Sequence, residues 1–97
     1  MSNIEDFKQS LSLPTPPSSL NVYLQSLWLD GKGEWEKSHD VIQDVPDKTA
    51  SWIHAYLHRK EGDIWNADYW YSKAGKSRPS ASLEKEWEDI VSYCLEK

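Results

Sequence analysis

The sequence contains one cysteine, Cys94, so no internal disulfide can staple the fold. A lone thiol fits a reducing compartment. No apolar run approaches the roughly 20 residues that cross a bilayer. The opening stretch MSNIEDFKQS is acidic where a secretory signal is basic. These absences point to a cytoplasmic protein with no membrane attachment. Positive charge is also scarce: 11 Lys and Arg stand against 16 Asp and Glu, a net charge of −5. Binding to nucleic acid or anionic lipid needs clustered cations, so neither is an expected partner. The small group Lys73, Lys76 and Arg78 suits the negative C-terminal end of a helix instead. Strand signals are missing too, with no period-two run and no hairpin dipeptide between β-branched segments.

What the chain does have is Trp and Tyr. Six Trp and five Tyr accompany a single Phe. Rings with a polar handle are favoured over Phe in wet cores and at interfaces. At 97 residues the chain is one domain, long enough to bury a core unaided.

Apolar spacing places the helices. Residues 1–18 read as an N-terminal arm. Ser2 and Glu5 form a capping-box pattern before a short helix from Asn3 to Leu11, and Phe7 or Leu11 pins the arm. The segment from Leu13 to Ser19, with Pro14, Pro16 and Pro17, is then extended. Residues 19–97 read as a single helical domain with five main helices. The first spans about Leu20 to Asp30, capped by Ser18 or Ser19, with Leu20, Tyr23, Leu24, Leu27 and Trp28 at i, i+3, i+4, i+7 and i+8. The second covers about Glu34 to Val45 and stops at Pro46. The third covers Lys48 to Glu61 behind Asp47. The fourth covers Ile64 to Ala74 behind Asp63. The fifth starts near Ala81, capped by Ser80 or Ser82, and carries Leu83, Trp87, Ile90, Val91 and Cys94 on one stripe. Glu84 and Glu86 complement its N-terminal dipole. Cys94 sits on the apolar stripe and reads as an inert core thiol.

The elbows Gly33-Glu34-Trp35 and Gly62-Asp63-Ile64 divide the first four helices into two hairpins. In the second hairpin Ala55, Ala67, Tyr71, Ala74 and Pro79 stand in a spacing that resembles a tetratricopeptide repeat. Residues 50–79 carry most of the resemblance. The first hairpin departs from it, with Ser26, Ser38 and Ile42 at the packing positions, and Gly33 and Gly62 stand closer than the family's period of about 34. The resemblance implies antiparallel helical hairpins, small residues where helices approach, a concave binding face, and a final helix that caps the stack. The strings His54-Ala-x-Leu-His-Arg and Asn66-Ala-x-Tyr-Trp-Tyr also resemble a family of small uncharacterised proteins, which implies no mechanism.

Two groups of residues carry functional expectations. The repeat register lines a concave face with Trp52, Tyr56, Arg59 and Lys60, joined by Tyr23 and Leu27. Rings beside Arg and Lys suit a protein or peptide with an acidic or carboxylate group, and a second copy of the chain is another expected occupant. The expected function is therefore a protein-interaction or structural module, with no catalytic residues assigned and no cofactor. The alternative rests on His54, His58 and Glu61, which share one helical face at i, i+4 and i+7. With His39 from the preceding helix they offer a site for Zn²⁺ or another transition ion, or a polar pocket for a small molecule. The same register points His54 and His58 into the helix interface, where a histidine is ordinarily a neutral, hydrogen-bonded core residue. A triad of Ser51, His54 and Glu61 can be written down, but nothing in the spacing constrains it.

Overall fold

A computed structural model describes residues 3–97. Among them the fold is all-α, with six helices and no strand: α1 Ile4–Ser10, α2 Val22–Gly31, α3 Trp35–Ile42, α4 Lys48–Glu61, α5 Ile64–Lys73 and α6 Leu83–Leu95. α1, the short helix of the arm, stands beside the five main helices. Side-chain caps set most of the starts. Asp47, Asp63 and Ser82 each accept a backbone N–H three residues on. α2 begins at Asn21, not at the serines before it, because a turn from the Leu20 N–H to the Pro17 carbonyl keeps Leu20 out of the helix. Ser2 of the expected capping box lies outside the described residues. Asn3 caps α1, accepting the Asp6 N–H at 2.9 Å.

α2 pairs with α3 and α4 with α5, and both helices of the first hairpin lie against α4. In the second hairpin Ala55 and Ala67 are fully buried beside Tyr71. Small side chains there let the helix axes approach. Ser26 and Ser38 are fully buried in the first hairpin. Their hydroxyls lie 2.9 Å apart, and the Ser38 Oγ also donates to the Ser26 carbonyl at 2.6 Å. Buried polar groups need such partners, and among the described residues no buried side-chain nitrogen or oxygen lacks one.

The last helix departs from the expected arrangement. A cap would lie on the final hairpin, α4 and α5. Instead α6 packs on α2, α4 and α1, and its Glu86 accepts a hydrogen bond from Tyr71 of α5. It lies over the α2/α4 face that the repeat register makes concave. Trp87, Ile90, Val91 and Cys94 fill that face, and the Trp87 indole donates to the Leu27 carbonyl at 3.1 Å. The driving force is apolar area: each such side chain contributes roughly 1.5–3 kcal/mol when removed from water.

The arm is likewise part of the core. Phe7 is fully buried, its ring 5.8 Å from that of Trp87. The Trp28 indole donates to the Ser10 carbonyl at 3.2 Å. No helix among the described residues is long and apolar enough to cross a membrane.

Candidate metal centre

Two helices bring the histidines together. His39 sits on α3, one turn after Trp35. His54 and His58 sit one turn apart on α4, the spacing that puts two side chains on one face. α3 packs against α4, so His39 meets the other two across the junction of the hairpins. The Nε2 atoms of His39 and His54 lie 3.0 Å apart. The ligand nitrogens of all three histidines fall within 4.8 Å of one another. His58 turns its Nδ1 to the Glu61 carboxylate at 2.7 Å. A carboxylate only accepts, so the His58 Nδ1 is the donor in this bond.

Aromatic rings wall the cluster. Trp35 stacks on His39 with centroids 5.0 Å apart and planes 11° from parallel. Trp70, from α5, stacks on His54 at 4.0 Å and 20°. The Trp35 indole is itself held by the Leu57 carbonyl at 2.8 Å. His54 and His58 are 6% and 7% exposed. Burial, and then the neighbouring His39 and His58, push the His54 imidazole down to about 4. Burial, followed by His58, also lowers His39 below its ordinary value. Both are therefore neutral at neutral pH, the form in which imidazole binds a metal. Trp35 and Trp70 were not anticipated as part of this site. Trp35 stood one turn before His39 on the same stripe, a legible signal. Trp70 reaches His54 only because α5 folds back on α4. Asp63 forms a second group with His58 and Glu61, but both acids are exposed.

The Ser51, His54 and Glu61 triad is not assembled, because Glu61 bonds His58 and His54 faces His39.

Comparisons of the chain with protein-family models, curated proteins and solved structures find no match. Any function must therefore be argued from this chain's own geometry.

The expected concave face is placed differently from an open groove. Leu27 is fully buried and Tyr56 is 2% exposed, both beneath α6. The Tyr56 hydroxyl donates to Asp30 at 2.8 Å. Burial and then the Asp30 charge raise its pKa, so it stays a donor. Trp52 is half-buried, with the Lys76 ammonium 4.1 Å above its ring. Tyr23 reaches Asp47, and this hydrogen bond, more than burial, lifts the phenol to about 12. Arg59 and Lys60 are engaged internally. Arg59 donates to Glu86 at 2.8 Å and to the Ala81 carbonyl, while Lys60 pairs with Asp30 at 2.9 Å.

Glu86, expected to serve only the dipole of its helix, is 2% exposed. It accepts from Arg59, from the Tyr71 hydroxyl at 2.6 Å and from the Trp52 indole at 3.1 Å. One carboxylate thus ties α6 to α4 and α5. Removing one partner of such a buried pair typically costs about 3–5 kcal/mol, so Arg59 holds the fold together and is not a free recognition group.

Proposed function

We propose that this chain binds a transition-metal ion, of the Zn²⁺ or Cu²⁺ class, through His39, His54 and His58. The observation that carries the reading is the convergence of three imidazoles from two hairpins, those of His54 and His58 buried, with two of their Nε2 atoms 3.0 Å apart. A tetrahedral zinc with Zn–N bonds of about 2.0–2.1 Å holds its nitrogens roughly 3.3 Å apart. The ligand nitrogens of the three histidines lie within 4.8 Å of one another. Imidazole ligands without thiolate suit Zn, Cu or Ni. The Glu61–His58 bond supplies the outer carboxylate that orients a metal-binding histidine and raises its basicity. Three protein ligands leave a fourth position for water. The ion would pin α3 to α4 and so join the hairpins. We take the compartment to be a reducing cytoplasm, in which Cys94, 1% exposed and pushed up to about 12 by burial, stays a free thiol.

The test is titration of metal-free, untagged protein with Zn²⁺ and Cu²⁺ by calorimetry. One ion per chain is expected, with affinity falling at least tenfold in His39→Gln and in His58→Gln. Glu61→Gln should weaken binding about 10-fold or more while the fold stays intact. No saturable binding by the wild type, with no rise in melting temperature, would remove the reading.

A second reading keeps the interaction module on its helical-repeat scaffold, with the binding face moved. The observation that favours it is Trp65, 82% exposed on α5 beside Ile64 and Tyr69. The simplest occupant of that face is a second copy of the chain, and sedimentation of the full chain reads this directly.

A further inference from the structure

A solvent-open pocket of 490 Å³ lies between α1, α2, α4 and α6 on the side of the molecule where the arm is docked. None of the three histidines lines it. Its size is that of a small-molecule site. At its floor is Asp30, a carboxylate only 2% exposed. Asp30 Oδ2 accepts from the Tyr56 hydroxyl at 2.8 Å, and Oδ1 accepts from the Lys60 ammonium at 2.9 Å. The walls are apolar: Leu11, Leu83 and Trp87. Gly31 keeps the space open between them, since a Cβ there would stand 3.0 Å from the Leu11 side chain and 3.3 Å from the Trp87 ring. Glu84 and Glu88 stand among the lining residues, with Lys8 paired to Glu88 at 2.5 Å.

The chemistry selects the ligand's charge. Three carboxylates line the cavity against two ammonium groups, both on long, part-exposed arms. A carboxylate buried as deeply as Asp30 requires a cation or strong donors. Lys60 supplies that cation from a side chain 38% exposed, so it returns to water at little cost when displaced. An incoming ammonium then takes the place of Lys60 at Oδ1, while Tyr56 continues to hold Oδ2. The organic part of the ligand lies along Leu11, Leu83 and the face of Trp87, a ring suited to a neighbouring cation. We infer that this cavity binds a primary organic amine with a ring-sized apolar body, seated on Asp30 in place of Lys60. The inference is independent of the histidine centre.

The experiment is calorimetric titration of the full chain with 2-phenylethylamine, and with 3-phenylpropionate as the anion of like shape. Saturable binding of one amine per chain is expected, with no saturable binding of the acid. Asp30→Asn should weaken amine binding at least tenfold. Lys60→Ala should tighten it severalfold, because it removes the internal competitor. That gain is something a purely structural role for Lys60 would not produce. If Asp30→Asn does not fold, as its circular dichroism will report, Lys60→Ala decides alone. Absence of amine binding by the wild type, equal binding of the acid, or weaker amine binding by Lys60→Ala would each overturn the inference.

Discussion

Burial of His54 among other imidazoles has a consequence that solution chemistry can read. Folded, it titrates at about 4; unfolded, at the ordinary 6.5. The folded state refuses a proton that the unfolded chain accepts between those values. Stability from this group is therefore complete above about pH 6.5, declines as pH falls toward about 4, and loses nothing more below that. The slope is at most about 1.4 kcal/mol per pH unit, and His39 adds to it in the same direction. Urea unfolding of metal-free protein from about pH 7 to about pH 4.5 should show the decline, and His54→Gln should make it shallower. A wild-type stability independent of pH over that range would contradict the placement of His54 against two other imidazoles.

At the scale of elements, the elbow between α4 and α5 decides whether the histidine face and Trp70 meet. Gly62 closes α4 in the left-handed region, at φ 90°, and its N–H bonds the Arg59 and His58 carbonyls. The next residue, Asp63, caps α5. The two helices thus reverse within two residues. Space is open around a Cβ at Gly62, so Gly62→Ala carries only the conformational penalty of an L residue there, about 1–2 kcal/mol. Chemical denaturation should show that loss with an unchanged denaturant slope. A neutral result would mean that the elbow can change its backbone conformation. This glycine and its acid were legible in the sequence, and α4 runs from Lys48 to Glu61 as its spacing predicts. The start of α2 was less legible, because Ser18, Ser19 and Asn21 are all competent caps and only the Pro17 turn selects the last.

At the scale of the molecule, α6 closes the face that two stacked hairpins would otherwise leave open, and the arm seals its edge through Phe7. Among the described residues, the outer side of α5 carries a group of uncovered large apolar side chains. Ile64, Trp65 and Tyr69 are 36%, 82% and 50% exposed there. If a second copy covers them, sedimentation velocity of the full chain should show a dimer at micromolar concentration, and Trp65→Ser should return it to monomer without lowering the melting temperature. A wild-type monomer at every concentration would remove the dimer reading.

Periodicity alone was enough for an all-α chain, its two hairpins, and the shared face of His54 and His58, because these depend on contacts within a few residues along a helix. It also set the three histidines apart as a group worth testing. The destination of each face lay beyond its reach. Whether Leu27 and Tyr56 lined a groove or a core depended on α6, dozens of residues away, and an amphipathic stripe does not name what it covers. Glu86 looked like any acid in a first helical turn until Arg59, Tyr71 and Trp52 converged on it. His39 met His54 only once α3 had packed on α4. Local hydrogen bonding and side-chain spacing are written residue by residue. Burial, and with it the state of every buried charge and imidazole, is settled only when distant segments compete for the same apolar surface.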